Sequence, residues 1–324
     1  MRNLIKYLIP AFLLAAPIAL PAQAQTYPTR PVHVVVPFPP GGFTDVTARL
    51  IAQKLGEALG QQMVIENRSG ASGLLGVEAV TKAVPDGYTL LITTGDFIET
   101  PSLMPKMGFD PNKDLLPVAM IASAPLLLGA QAGGPIGSVM DLIAQAKARP
   151  GQIAFSSPGT GTINHLAVEW LAIEAGLKLI HVPYRGGAPA ATAIAAGDVP
   201  VGAVTISSAQ SLMDAGKIKP IALMTRERPS FAPADWPTLS EMGFPVDAAL
   251  WVGLFVPART PPAIVARLDA ALARLLHDAT VRKRLNELGT EAAAISGSAF
   301  ADRIRLDAAH YAKIIEQTGI HVEH

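Results

Sequence analysis

Short runs of β-branched and aliphatic residues alternate along this chain with stretches whose apolar positions recur every three or four residues. Val32–Val36 reads as a strand, and a helical pattern follows it through Leu50 and Leu59. Residues 63–66 form a second strand, a helix ends near Ala83, and residues 89–93 form a third. That order, βαβα, predicts a parallel sheet. A long apolar run covers 119–130 after the loop at Pro111, and 138–148 reads as a helix stopped by Pro150 and Gly151. A second series then places strands at 153–156, 179–182, 201–206 and 218–224, with helices starting at Ile163, Pro189 and Ser208. After a Pro-rich stretch at 228–237, a strand at 250–256 precedes helical patterns over 262–277 and 298–317. Ile264, Leu268, Leu272, Leu275 and Leu276 recur at helical spacing and read as packing positions.

Two α/β lobes are expected. The first takes 25–125 and 250–324, the second 126–249, and the chain crosses near Pro125 and Leu250. Open α/β sheets bind ligands at the carboxyl ends of their strands, and three Gly-rich helix entrances lie at such ends. They are Pro37-Phe38-Pro39-Pro40-Gly41-Gly42-Phe43-Thr44-Asp45, Ser156-Ser157-Pro158-Gly159-Thr160-Gly161-Thr162 and Val182-Pro183-Tyr184-Arg185-Gly186-Gly187-Ala188-Pro189. A strand that breaks on Pro and Gly and restarts as a helix leaves unpaired N–H groups with the positive end of the helix dipole behind them. Three such cradles point to a small acidic ligand.

The first 24 residues carry a basic start with Arg2 and Lys6, an apolar stretch from Tyr7 to Leu20, and Ala22-Gln23-Ala24 as a small-x-small cleavage site. They read as a removed secretory signal, because the apolar stretch is too short and Pro-interrupted to span a bilayer. The chain has no cysteine, which excludes disulfides, thiol chemistry and a lipid-anchoring Cys after the signal. Loss of Arg2 and Lys6 leaves 24 basic residues against 26 acidic ones, a balance that disfavours nucleic acid and anionic membranes as partners. A freely diffusing exported monomer is expected. About 300 mature residues exceed one ordinary domain of roughly 150.

Catalysis lacks its parts. There is no Gly-x-Ser-x-Gly, Ser-x-x-Lys or His-Glu-x-x-His. Gly159-x-Gly161-x-x-Asn164 lacks the third glycine of a dinucleotide site. No catalytic residue, cofactor or metal is assigned, and His321-x-x-His324 sits at a terminus expected to fray. Plainer roles exist for several residues: Asp45 as a complement to its helix N-terminus, His165 in packing or a supporting hydrogen bond, Arg185 solvated beside a turn, Glu66 and Arg68 as a rim ion pair.

Ordered motifs spanning nearly the whole chain carry a resemblance. They are Tyr27-Pro28-x-Arg30-Pro31, the Pro37 to Asp45 loop, Glu66-Asn67-Arg68, Pro85-Asp86-Gly87-Tyr88, Pro111-x-Lys113-Asp114-Leu115, Ser157-x-Gly159-x-Gly161-Thr162 with His165-Leu166, His181-Val182-Pro183-Tyr184-x-Gly186-Gly187, Pro237-Thr238-x-x-Glu241 and Trp251-x-Gly253-Leu254. The chain resembles the solute receptors of tripartite tricarboxylate transporters, the Bug family of extracytoplasmic binding proteins. The resemblance implies a type II periplasmic binding fold, two α/β lobes with mostly parallel sheets around a cleft that closes on a carboxylate. Its ligand-binding positions, carried onto this chain, are Phe38, Gly41, Gly42, Thr44 and Asp45 from lobe one, and Ser157, Gly159, Thr160, Gly161, Thr162, Tyr184, Gly186 and Gly187 from lobe two. Residue reading adds Thr94, Asp96, His165, Arg185 and Thr205. The implied partners are a di- or tricarboxylate, hydroxy acid or aromatic acid, and the membrane subunits of a transporter; a sensor kinase is the alternative. Val204-Thr205 stand where the family commonly carries an acidic and an amide or polar residue, and Ala193 where it frequently carries a helix Asp; the lost acid weakens the case for an amino-acid ligand. Asp96, in an unusual loop, could take over recognition of a hydroxyl or amine, or could serve only to satisfy turn N–H groups.

Overall fold

The computed structural model describes residues 27–70, 73–98 and 108–320. The signal-like segment, Ala71-Ser72 and the two terminal histidines lie outside the described residues. Among the described residues ten strands form: β1 (Val32–Val36), β2 (Met63–Asn67), β3 (Thr89–Thr94), β4 (Leu115–Gln131), β5 (Ile153–Ser157), β6 (Leu179–Pro183), β7 (Val201–Thr205), β8 (Ile218–Leu223), β9 (Ala249–Pro257) and β10 (Glu291–Ser296). The helices of two turns or more are α1 (Phe43–Leu59), α2 (Leu74–Thr81), α3 (Val139–Ala148), α4 (Ile163–Ala175), α5 (Gly187–Ala196), α6 (Ile206–Asp214), α7 (Pro262–His277), α8 (Ala279–Glu287) and α9 (Gly297–Thr318).

The strands run in the order β2-β1-β3-β9-β4-β7-β5-β6, with β10 and β8 also on β4. Parallel pairing holds for β1 with β2 and β3, and for β5 with β6 and β7. Around β4 and β9 every pairing is antiparallel, so each sheet is mixed. The sequence expectation of mostly parallel sheets therefore describes the βα units and omits the antiparallel seam. That seam is where the two sheets meet. β4 pairs with β9 from Leu115 to Pro125, then with β7 from Leu126 onward. Pro125 has no N–H to give, which suits a change of partner at this point.

Apolar faces bury on both sides of each sheet. Val32, Val34 and Val36 pack with α1 and α7 on one face of the first, and Trp251, Phe255 and Phe300 fill the other. In the second, Phe155, Leu166 and Leu171 pack on one face, and Ile194, Val204 and Leu223 on the other. Helix α9 crosses between them: Phe300 and Ile304 join the Trp251 core, whereas Tyr311, Ile314 and Ile315 join the Phe155 core. A division that gives all of 250–324 to one lobe does not capture this strap.

Two elements have no counterpart in the sequence pattern, α8 and β10. Glu291-Ala-Ala-Ala-Ile-Ser has weak strand propensity; pairing with β4 imposes the extended form, through a register break between Ala292 and Ile295 where Ala294 takes φ +46°.

Candidate functional site

The strand-helix loops meet at the junction of the two sheets. Phe43, the first residue of α1, packs against both the Val34 core and the Phe155 core. Thus the first cradle faces the second lobe. Gly41 takes φ +81°, a conformation open to glycine, and Gly42 is the N-cap of α1 at φ −75°. Among the described residues, none accepts a hydrogen bond from the N–H groups of Gly42, Phe43 or Thr44. These are the unspent donors expected of an anion site. Phe38 is half-buried, its ring about a van der Waals distance from the position a Gly73 side chain would take.

Asp45 is committed elsewhere. Its Oδ2 accepts from the Gly41 N–H at 2.9 Å and from Arg49 Nε at 2.9 Å, and its Oδ1 accepts from Asn67 Nδ2 at 2.8 Å. Asn67 also donates to the Phe38 carbonyl at 3.0 Å. Burial pushes the Asp45 carboxyl up, but the bonds from Arg49, Gly41 and Asn67 outweigh it and hold the group below the ordinary carboxylate range. Its role in this geometry is to clamp the loop that presents the free N–H groups, in keeping with its plainer sequence reading.

The second cradle is equally braced from within. Ser157 Oγ donates to the Gly159 carbonyl at 2.9 Å, so the hydrogen in its 2.7 Å bond to His181 comes from His181 Nε2. Thr162 is the N-cap of α4; its hydroxyl donates to the Gly159 carbonyl and accepts from the His165 N–H. Gly161, at φ +77°, donates its N–H to His165 Nδ1 at 3.1 Å, which places the imidazole proton on Nε2. The two imidazoles stack at 3.6 Å, 11° from parallel. His165, a candidate ligand position in the sequence, is thereby bonded within the loop it follows. Asn164 donates to the Ala203 carbonyl and ties α4 to β7. Thr160, half-buried, has no hydrogen-bond partner for its hydroxyl among the described residues.

The third loop lies against the second, because the Tyr184 N–H donates to the Ser157 carbonyl at 2.9 Å and the Gly186 N–H to the Pro158 carbonyl at 3.0 Å. Gly186 takes φ +116° and caps α5. A side chain on Gly187 would meet Ser208 Oγ at 2.5 Å, so α5 and α6 start side by side. Thr205 caps α6, its hydroxyl bonded to Ser208 Oγ at 2.7 Å. Arg185 is exposed and forms no ion pair among the described residues.

Asp96 joins the two halves. It lies in the one-turn helix that follows β3; its Oδ2 accepts from Thr94 Oγ1 at 2.8 Å and its Oδ1 from the Ile163 N–H at 3.3 Å, the first residue of α4. Burial raises its pKa, against the lowering effect of those bonds.

His181, Arg49 and Asn67 were not among the candidate positions. His181 and Asn67 do lie within the motifs that carry the family resemblance, which is the signal available for them. Burial, and secondarily the neighbouring His165, push the His181 pKa down to about 3 from 6.5. Because the folded value is the lower one, the neutral ring's contribution is fully present above about 6.5 and is lost as pH falls toward 3. The slope is at most about 1.4 kcal/mol per pH unit. Denaturant titrations should show this acid sensitivity flattened in His181→Gln; parallel wild-type and variant curves would mean the ring is not held neutral.

Backbone donors left free at the start of α1, beside a contact between the two cores, suit a receptor for a small anionic solute. The chain belongs to the tripartite tricarboxylate transporter receptor family, whose sequence profile matches residues 47–320. It is 33% identical to Protein BugT of Bordetella pertussis over 311 residues, 95% of each chain. Among solved structures it resembles Rpa4515 of R. palustris with adipate, at 36% identity and TM-score 0.83, covering 91% of this chain and 99% of that one. It also resembles MatC of Rhodopseudomonas palustris with bound malate, at 32% identity and TM-score 0.78, covering 89% and 100%. The fold is that of two-lobed periplasmic binding proteins, and the family consists of receptors, not enzymes.

Proposed function

We propose that this chain is an exported receptor that captures a small organic carboxylate between its lobes and delivers it to the membrane subunits of a tripartite tricarboxylate-type transporter. One observation carries the reading: the Gly42, Phe43 and Thr44 N–H groups at the start of α1 have no acceptor among the described residues, and Phe43 packs on both cores. Adipate and malate in the two Rhodopseudomonas relatives support the ligand class. Thr160, Tyr184, Arg185 and the glycine backbone at 186–187 are the second-lobe contacts in this reading. Capture is reversible because neutral donors dominate the site.

Binding closes the lobes about β4 near Pro125 and the start of β9, since contacts from both sides to one small anion favour the closed state. Thermal denaturation across a carboxylate panel tests the proposal. A true ligand at 100 times its dissociation constant adds about 2.7 kcal/mol. It should also reduce the radius of gyration in small-angle scattering. A panel that leaves both stability and scattering unchanged would remove the carboxylate reading.

A further inference from the structure

We propose that His165 and His181 are positioning residues for ligand binding: as a stacked pair of neutral rings, each with its proton on Nε2, they turn the Gly159 and Gly161 amides inward and leave Thr160 as the free donor of the second cradle. The inference rests on the carboxylate reading above and deepens it, since both imidazoles act through the loop.

The pair couples a rigid strand to that loop. His181 lies on β6 in register with Phe155 of β5, and the two rings are 5.1 Å apart. Phe155 is fully buried and also backs His165, at 5.9 Å. Sheet and phenyl ring fix His181, and stacking on it at 3.6 Å fixes His165, which is 3% exposed. Each imidazole then spends one nitrogen on the loop. His165 Nδ1 accepts from the Gly161 N–H at 3.1 Å. His181 Nε2 donates to Ser157 Oγ at 2.7 Å, and that hydroxyl both donates to the Gly159 carbonyl and accepts from the Gly159 N–H at 3.2 Å. Between these two glycines, the Thr160 N–H and hydroxyl have no partner among the described residues.

The arrangement depends on where the protons sit. A second proton on His165 would go to Nδ1 and point at the Gly161 N–H, hydrogen against hydrogen, whereas its Nε2 side faces Glu169 Oε1 at 3.7 Å. Moving the His181 proton to Nδ1 would leave Ser157 Oγ without its donor, because the hydroxyl's own hydrogen is committed to Gly159. Burial first, and His165 second, favour the neutral form of His181. A loop already held in its binding conformation costs less to order when an anion arrives, which is how groups behind it raise affinity.

Conservative and apolar replacements separate positioning from packing. The side-chain oxygen of asparagine can stand where His165 Nδ1 accepts, and the amide nitrogen of glutamine where His181 Nε2 donates; leucine fills either space and does neither. Calorimetry with malate, succinate, adipate, citrate and terephthalate finds the acid that wild type binds most tightly, and the variants are titrated with that acid. His165→Leu and His181→Leu should each lose about tenfold in affinity, the size of one buried hydrogen bond, and His165→Asn and His181→Gln markedly less. Long-range proton–nitrogen spectra of wild type labelled at histidine should show both rings neutral and protonated on Nε2, which decides the matter even where a leucine variant fails to fold. Folded leucine variants that bind as tightly as wild type, conservative variants that lose as much as leucine, or an Nδ1-protonated ring at either position overturn the assignment. Binding of none of the acids by wild type overturns the carboxylate reading itself, and this inference with it.

Discussion

Replacing Trp251 by alanine should cost about 3–5 kcal/mol of folding free energy, the range for deleting a large buried aromatic ring. The indole is fully buried between Phe97, Phe255 and Phe300, and its Nε1 donates to Asp307 Oδ2 at 3.0 Å. Arg303 holds the same carboxylate at 2.7 and 2.8 Å, so Asp307 keeps a partner when the indole is lost. The cavity is then the main term, and Trp251→Phe should cost markedly less than Trp251→Ala. Function should suffer beyond stability, because the ring supports Gly95 and with it the Asp96 loop. Urea denaturation of both variants measures the first effect, and calorimetry on the folded fraction the second. A Trp251→Ala loss under 1 kcal/mol would show that the surrounding aromatics close over the gap.

What the sequence made legible divides by the range of the interactions involved. The β1 strand, the Pro-Gly break at 37–42 and α1 follow from local pattern, since β-branched residues, turn formers and helical spacing each act within a few positions. The same holds for the starts of α3 at 138–139 and of α4 at Ile163, where Ser138 and Thr162 are the caps in the structure. Where a residue's role depends on a distant partner, the pattern was silent. Asp45 reads either as a ligand contact or as a complement to its helix N-terminus, and its bond from Asn67, 22 positions away, is outside the reach of local pattern. Asp96 reads as a turn residue or a ligand contact, and its bond to Ile163 spans 67 positions. His181 lies on β6 and acquires its role only when β5 and α4 bring Ser157 and His165 against it. The β4 strand is an intermediate case. Its apolar run was visible, but an uninterrupted run does not say that one half pairs in one sheet and one half in another.

Gly161→Val should abolish high-affinity binding while leaving a folded protein. Gly161 takes φ +77°, where a β-branched side chain is strongly disfavoured, at a strain of about 1–3 kcal/mol. Relief requires the backbone to leave that region. Doing so breaks the Gly161 N–H bond to His165 Nδ1 and moves the Thr162 cap and the Ile163 N–H that meets Asp96. The cradle and the interlobe bridge are therefore lost together. Typical domains are stable by about 5–15 kcal/mol, so the fold survives this strain. Affinity for the best carboxylate of the panel should fall at least ~100-fold, about 2.7 kcal/mol. Gly42→Ala is the informative contrast: φ is −75° and the new Cβ would sit 3.6 Å from the Pro39 carbonyl, an ordinary contact. Its stability should change little, and any loss of binding would report crowding of the anion, not strain. A Gly161→Val protein that folds normally and binds as tightly as wild type would take the second cradle out of the site and leave the α1 terminus as its main anion contact.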